Sequence, residues 1–267
     1  MDENRVVVAG VSDGGTGAYF IAMRETTIFA SFLPLNAFIM VLGSAMIDDG
    51  LMYPNNLRNK PMFVINGGQD QLYPTSRVEP FVRHLQESGV KIDYHPRPEA
   101  GHNTRWWPEM KDVFEKFVSD NPRNPDPDEL TWEAGDLSDA SFNRAHWLVI
   151  DKLGRHSSDS PIMFDINVIN GGANTLFMRP VEIIPGRVDL YRKGNTVEAK
   201  TQGVAQFTLL LSPGRFDFNE PIKVIANGKV VFEGRVKQNL ETMMKWAARD
   251  NDRTMLYAAE VEIRFAR

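Results

Sequence analysis

Among its 267 residues the sequence has no cysteine. Disulfide frameworks, thiolate catalysis and cysteine-ligated zinc are therefore excluded. That absence does not settle the compartment, since many exported bacterial proteins also lack cysteine; a secreted or periplasmic full-length protein stays open. No apolar run approaches the ~20 residues needed to cross a bilayer. The opening Met1-Asp2-Glu3-Asn4-Arg5 leads straight into Val6-Val7-Val8, without the charged-then-apolar pattern of a signal segment. Basic charge is in the minority as well: 30 Lys and Arg face 35 Asp and Glu, a formal net charge of -5. With no basic run or RNA-binding motif to offset it, a nucleic-acid partner is not expected.

What is present is an ordinary globular composition, 42% hydrophobic and 24% charged, in a length that allows one large domain or two modest ones. Residues 1–120 alternate short apolar runs with helical patterns, which predicts a parallel sheet flanked by helices. Arg5 to Gly10 reads as a buried strand, followed by a helix from about Gly14 to Arg24. Phe32 to Leu35 is a weaker strand, and the chain is irregular from there through Asn59. Pro61 to Asn66 is a second clear buried strand. Val78, Phe81, Val82 and Leu85 mark one apolar face of a helix, with Gly89 where a C-terminal cap belongs. Lys91 to His95 is the next strand, and Met110, Val113, Phe114 and Phe117 belong to a last amphipathic helix.

Residues 121–130 are crowded with proline and asparagine and are expected to be a linker. Beyond it, in residues 131–267, the periodicity changes to short β-branched runs: His146 to Asp151, Ile162 to Val168, Leu176 to Ile184, Val188 to Arg192, Val204 to Leu211, Ile222 to Ala226 and Val230 to Val236. Asn227-Gly228 predicts a tight hairpin, and Gly194-Asn195 suggests another. A helix at Leu240 to Ala248 precedes a last strand, Tyr257 to Phe265. The expected second domain is a small antiparallel β-sandwich or barrel.

Chemistry enters at Gly10-Val11-Ser12-Asp13-Gly14-Gly15, between a buried strand and a helix. This is the strand-turn-helix context in which G-x-S-x-G lifts a serine hydroxyl above a sheet, with small residues on either side to relieve crowding. The helix dipole is then aimed at a developing oxyanion. The competing reading is a glycine-rich phosphate-binding turn. A serine nucleophile needs a base, and the base an orienting carboxylate. Asp70 follows the second clear strand in Asn66-Gly67-Gly68-Gln69-Asp70-Gln71-Leu72-Tyr73-Pro74. His102 lies in the loop Glu99-Ala100-Gly101-His102. Both fall at the carboxyl edge of the sheet, as Ser12 does, where open α/β sheets bind ligands. The other histidines suit the role less well: His84 falls within a helix, His95 within a strand, and His146 and His156 in the β half. Asp48 and Asp49 are the reserve acids.

With these motifs, residues 5–119 resemble the C-terminal half of an α/β-hydrolase catalytic domain, in the prolyl-oligopeptidase-like and dienelactone-hydrolase-like esterase branch. The resemblance implies Ser12 as nucleophile, Asp70 as acid, His102 as base and the Asp13 amide as one oxyanion donor, with no cofactor. The activity it implies is acyl transfer on a carboxylic ester, small or polymer-linked. The alternatives are a serine peptidase of the prolyl-oligopeptidase type and a non-enzymatic binding protein on a degenerate hydrolase scaffold. The family places several strands before the nucleophile strand, and the second oxyanion amide comes from there. On that pattern this chain is expected to be a fragment of a longer polypeptide, or one read from an internal Met, and nearly inactive alone.

Trp106 and Trp107 are either a pocket wall or a staple for the last helix of the first half. In the β half, Trp132, Trp147, Phe207, Phe216 and Phe232 are either core residues or a polysaccharide platform. Asp151, Asp159 and Asp165 lack calcium-loop spacing, and no metal is expected.

Overall fold

The computed structural model describes residues 2–43, 50–137, 142–154 and 185–265. Residues 2–123 form one compact unit, and residues 124–154 with 185–265 form another. The first is built on four strands, β1 (Val7–Val11), β2 (Ser31–Leu35), β3 (Met62–Gly67) and β4 (Ile92–Arg97). They pair in parallel in the order β1-β2-β3-β4. Parallel neighbours must be linked by crossovers, and these are supplied by α1 (Asp13–Arg24), α2 (Thr75–Glu87) and two 3-10 turns, Ile39–Gly43 and Pro54–Asn59. After β4 the chain enters α3 (Trp107–Asp120).

The two-residue period of a strand sorts β2 and β3 between two cores. Phe32, Met62 and Val64 pack with Tyr19, Ala22 and Met23 of α1 and with Val78, Phe81, Val82 and Leu85 of α2. Leu33, Leu35, Phe63 and Ile65 pack on the other side with Trp106, Met110 and Phe117 of α3 and its N-cap. The middle of the sheet is thus covered on both faces, as a parallel sheet requires. The helix α2 ends as its apolar face predicts. Gly89 takes φ 91, its amide donates to Gln86 O and that of Val90 to Leu85 O, the paired bonds of a Schellman ending.

The stretch expected to be a linker is held at both ends. The Arg123 guanidinium donates to Asn4 Oδ1 and Thr27 O within the first unit. In the second unit, Pro125 O meets His146 Nδ1 and Pro127 O accepts from Trp147 Nε1. A strand, β5 (Glu129–Ala134), begins before residue 130. The rest of this unit comprises β6 (Arg144–Ala145), β7 (Leu148–Leu153), β8 (Gly186–Lys193), β9 (Thr196–Gln202), β10 (Val204–Leu211), β11 (Ile222–Ala226), β12 (Lys229–Gly234), α4 (Leu240–Asp250) and β13 (Ala259–Arg264).

These strands make two sheets, ordered β13-β10-β7-β6 and β12-β11-β9-β8-β5. One apolar core takes residues from both, among them Trp132, Val188 and Val224 from one sheet and Ile150, Phe207 and Val261 from the other. The pairing is not purely antiparallel, because β9 and β11 run parallel. Asn227 and Gly228 take φ 50 and 76 in the turn between β11 and β12, as the hairpin signal predicts. Two strands carry little sequence signal: β9 offers only Val197 and Ala199 as buried apolar residues, and β5 follows a proline-rich run. The strands expected at 162–168 and 176–184 lie outside the described residues, as do Asp48, Asp49, His156, Asp159 and Asp165.

Candidate active site

Ser12 stands between β1 and α1 with φ 58 and ψ -119, a region that L-residues avoid and that functional turns tolerate. Its amide donates to Leu35 O at 2.9 Å and its carbonyl accepts from Thr16 N at 2.9 Å, so neighbouring backbone holds the turn. A serine at a helix N-cap ordinarily spends its hydroxyl on the first turn. This one makes no such bond, and its Oγ lies 2.8 Å from His102 Nε2.

The tightness of the turn explains two glycines and leaves a third unexplained. A Cβ on Gly10 would fall 2.2 Å from the Gly14 carbonyl carbon, whereas one on Gly14 would meet nothing within 4 Å. The crowding expected on both sides of the serine is found at Gly10 and, on the helix side, at Gly15 rather than Gly14, since a Cβ on Gly15 would lie 2.7 Å from Ala37 Cβ and 2.9 Å from Gly10 O.

His102 Nδ1 lies 2.7 Å from Asp70 Oδ2. The Asp70 side chain is fully buried, while a quarter of the imidazole surface remains exposed. The second carboxylate oxygen, Oδ1, accepts from the amides of Leu72 at 2.8 Å and Tyr73 at 2.9 Å. Those two bonds fix the carboxylate's rotation, and Oδ2 faces the imidazole. An ionised carboxylate can only accept. Nδ1 therefore carries the ring proton of the neutral imidazole, and Nε2 is left as the acceptor for the serine hydroxyl.

The acid and histidine loops touch through backbone. Gln69 N donates to Ala100 O, and Gly68 N to Arg97 O, each at 2.9 Å. That approach needs bare glycines, because a Cβ on Gly67 would lie 2.3 Å from Ala100 O and one on Gly68 would lie 2.4 Å from Pro98 O. The Tyr73 ring meets the imidazole edge-on, with centroids 5.9 Å apart. Burial, and then the negative charges of Asp13 and Asp70, push the Tyr73 phenol up from its ordinary value, so it remains a neutral hydroxyl at neutral pH. Asp13 is the first residue of α1, and an amide in a first helical turn has no acceptor within its helix.

Trp106 is a core residue beside α3, and Trp107, more than a third exposed, stacks edge-on against Phe114 with centroids 5.2 Å apart. His84 is in α2, His95 is in β4 beside Asp93, and His146 is buried in the second unit. Trp132, Trp147, Phe207 and Phe216 are buried in the core of that unit, with Phe232 packed against it. No group of three or more metal-ligating side chains is assembled among the described residues.

Two asparagines at the carboxyl edge escaped the sequence reading. Asn36 donates from Nδ2 to Asn103 O, and Asn66 from Nδ2 to Ala37 O and Tyr73 O. Asn66 at least stands inside the acid-loop motif; an asparagine one residue past a strand, as Asn36 is, carries no comparable signal.

No known family profile matches the sequence, and no curated protein is detectably similar. Solved structures with partial likeness include SOBER1 from Arabidopsis thaliana (TM-score 0.36, 14% identity, 45% of this chain and 54% of that one). A thermostable esterase gives a TM-score of 0.37 at 21% identity over 46% of this chain and 32% of that one. The uncomplexed Pyrococcus horikoshii acylaminoacyl peptidase gives 0.37 at 17% identity over 47% of this chain and 25% of that one. This chain spans about half the length of the first and less of the others. Likeness of this extent carries no weight for activity.

Proposed function

We propose that residues 1–120 carry the acyl-transfer site of a serine hydrolase acting on carboxylic esters, with Ser12 as nucleophile, His102 as base and Asp70 as acid. The supporting observation is the pair of bonds from one imidazole, to the buried Asp70 and to a Ser12 hydroxyl that caps no helix. Ser12 Oγ loses its proton to His102 Nε2 as it attacks the carbonyl carbon. Asp70 holds Nδ1–H and stabilises the imidazolium. Negative charge gathers on the carbonyl oxygen, where the Asp13 amide and the α1 dipole oppose it. The imidazolium returns its proton to the leaving alcohol, and a water activated by the same histidine releases the acyl group.

The second unit, two sheets around one core, is on this reading a β-sandwich-like accessory domain. If the ester is polymer-linked, polysaccharide contact falls to surfaces of this unit other than its buried aromatics. Silence on a glycan array would remove that role.

Acylation tests the reading directly. Mixed with p-nitrophenyl acetate, the chain is expected to gain one acetyl group, mapped by peptide mass to Ser12 and absent in Ser12→Ala. A folded chain that gains none would favour a binding protein on a hydrolase scaffold. Acylation by N-acyl peptide anilides in preference to esters would favour the peptidase.

A further inference from the structure

The histidine loop is fastened on both sides of His102. On the acid side, Ala100 O accepts from Gln69 N at 2.9 Å. On the nucleophile side, Asn103 O accepts from Asn36 Nδ2 at 2.9 Å. Position 102 lies between them, so the loop is held on either side of the histidine.

Asn36 is itself held in the frame that carries Ser12. It follows β2 directly, its amide donates to Ile65 O at 2.7 Å, and the carbonyl just before it, Leu35 O, receives the Ser12 amide. Its φ of 47 is left-handed, which glycine adopts without strain. The asparagine side chain is fully buried, and its Oδ1 has no hydrogen-bond partner among the described residues. A buried amide oxygen left unpaired is a cost that the turn alone does not require. What the side chain adds over glycine is the Nδ2 donor, and that donor is spent on the residue next to His102.

We infer that Asn36 is a positioning residue, whose Nδ2–H···O bond to Asn103 sets where His102 stands between Asp70 and Ser12. This rests on the acyl-transfer reading, in which displacement of a base by about 1 Å costs ~10²-fold in rate.

Asn36→Gly keeps the left-handed turn and removes the donor. Asn36→Asp keeps the shape but, when ionised, offers no donor to a carbonyl. In the 267-residue chain at pH 8, both are expected to slow fluorophosphonate labelling of Ser12 at least tenfold. Both should also speed water exchange of the low-field His102 Nδ1 proton, followed by NMR and assigned with His102→Ala, while circular dichroism is unchanged. Labelling and exchange within twofold of the unsubstituted chain in folded Asn36→Gly would overturn the inference. If that variant does not fold, Asn36→Asp decides by the same two measures. If the unsubstituted chain is not labelled at Ser12, the hydrolase reading fails. Ring-proton exchange still decides the role of Asn36, and exchange that the substitutions leave unchanged overturns it.

Discussion

Ser12 holds its backbone at φ 58 and ψ -119, which for a non-glycine residue costs about 1–3 kcal/mol. Ser12→Gly releases that strain, partly offset by the larger entropy glycine loses on folding. The glycine variant is expected to be more stable than Ser12→Ala by on the order of 1 kcal/mol, and both should be inert. Thermal melts of the two variants check this; equal stability would place the strain elsewhere. A second residue-scale effect concerns Lys60, which is buried in the first unit. Burial, and then the neighbouring Arg123 charge, lower its amine to about 7 from an ordinary 10.5, with Glu25 pulling the other way. Between those values the unfolded chain binds the proton and the folded one does not, so the contribution of Lys60 to stability rises with pH across that window. Below pH 7 the charge stays on a buried amine and the full penalty applies. Lys60→Met is expected to flatten the rise and to stabilise the chain most at low pH, as read from urea midpoints at pH 6.5 and 9.5. An unchanged slope would show that Lys60 keeps its proton when folded.

At the scale of elements, the site consists of loops at one edge of a parallel sheet, and close backbone contact sets their spacing. Gly67→Ala places a methyl 2.3 Å from Ala100 O, so the histidine loop must move. Overpacking of this kind costs typically about 1–3 kcal/mol. The substitution is expected to cut Ser12 labelling by more than tenfold, whereas Gly14→Ala, with open space at its Cβ, should leave it within a few-fold. Equal effects from the two would contradict the account of the loop contact. Elements with a strong period were the legible ones: the apolar face of α2 and its Gly89 ending, β3 with every residue buried, and β10 and β11. β5 and β9 were not legible. Their burial is decided by partners far along the chain, and β9 alternates two small apolar residues with charged ones. The cluster of Ser12, His102 and Asp70 could be read because each member sits in a motif near a strand end. Asn36 could not, because its importance lies in Asn103, 67 residues away, and only folding brings the two together.

On the scale of the whole molecule, one α/β unit contains Ser12, Asp70 and His102, and a β unit with a core of its own contains no part of that constellation. Nucleophile activation is the central claim. The most direct measurement of it is the rate of fluorophosphonate labelling, with the adduct mapped by mass spectrometry, in the unsubstituted chain and in Ser12→Ala, His102→Ala and Asp70→Asn. A single adduct on Ser12 is expected, with none in Ser12→Ala and rates lower by on the order of 10³–10⁴ in the other two. A folded chain labelled elsewhere, or labelled at Ser12 equally fast without His102, would contradict it.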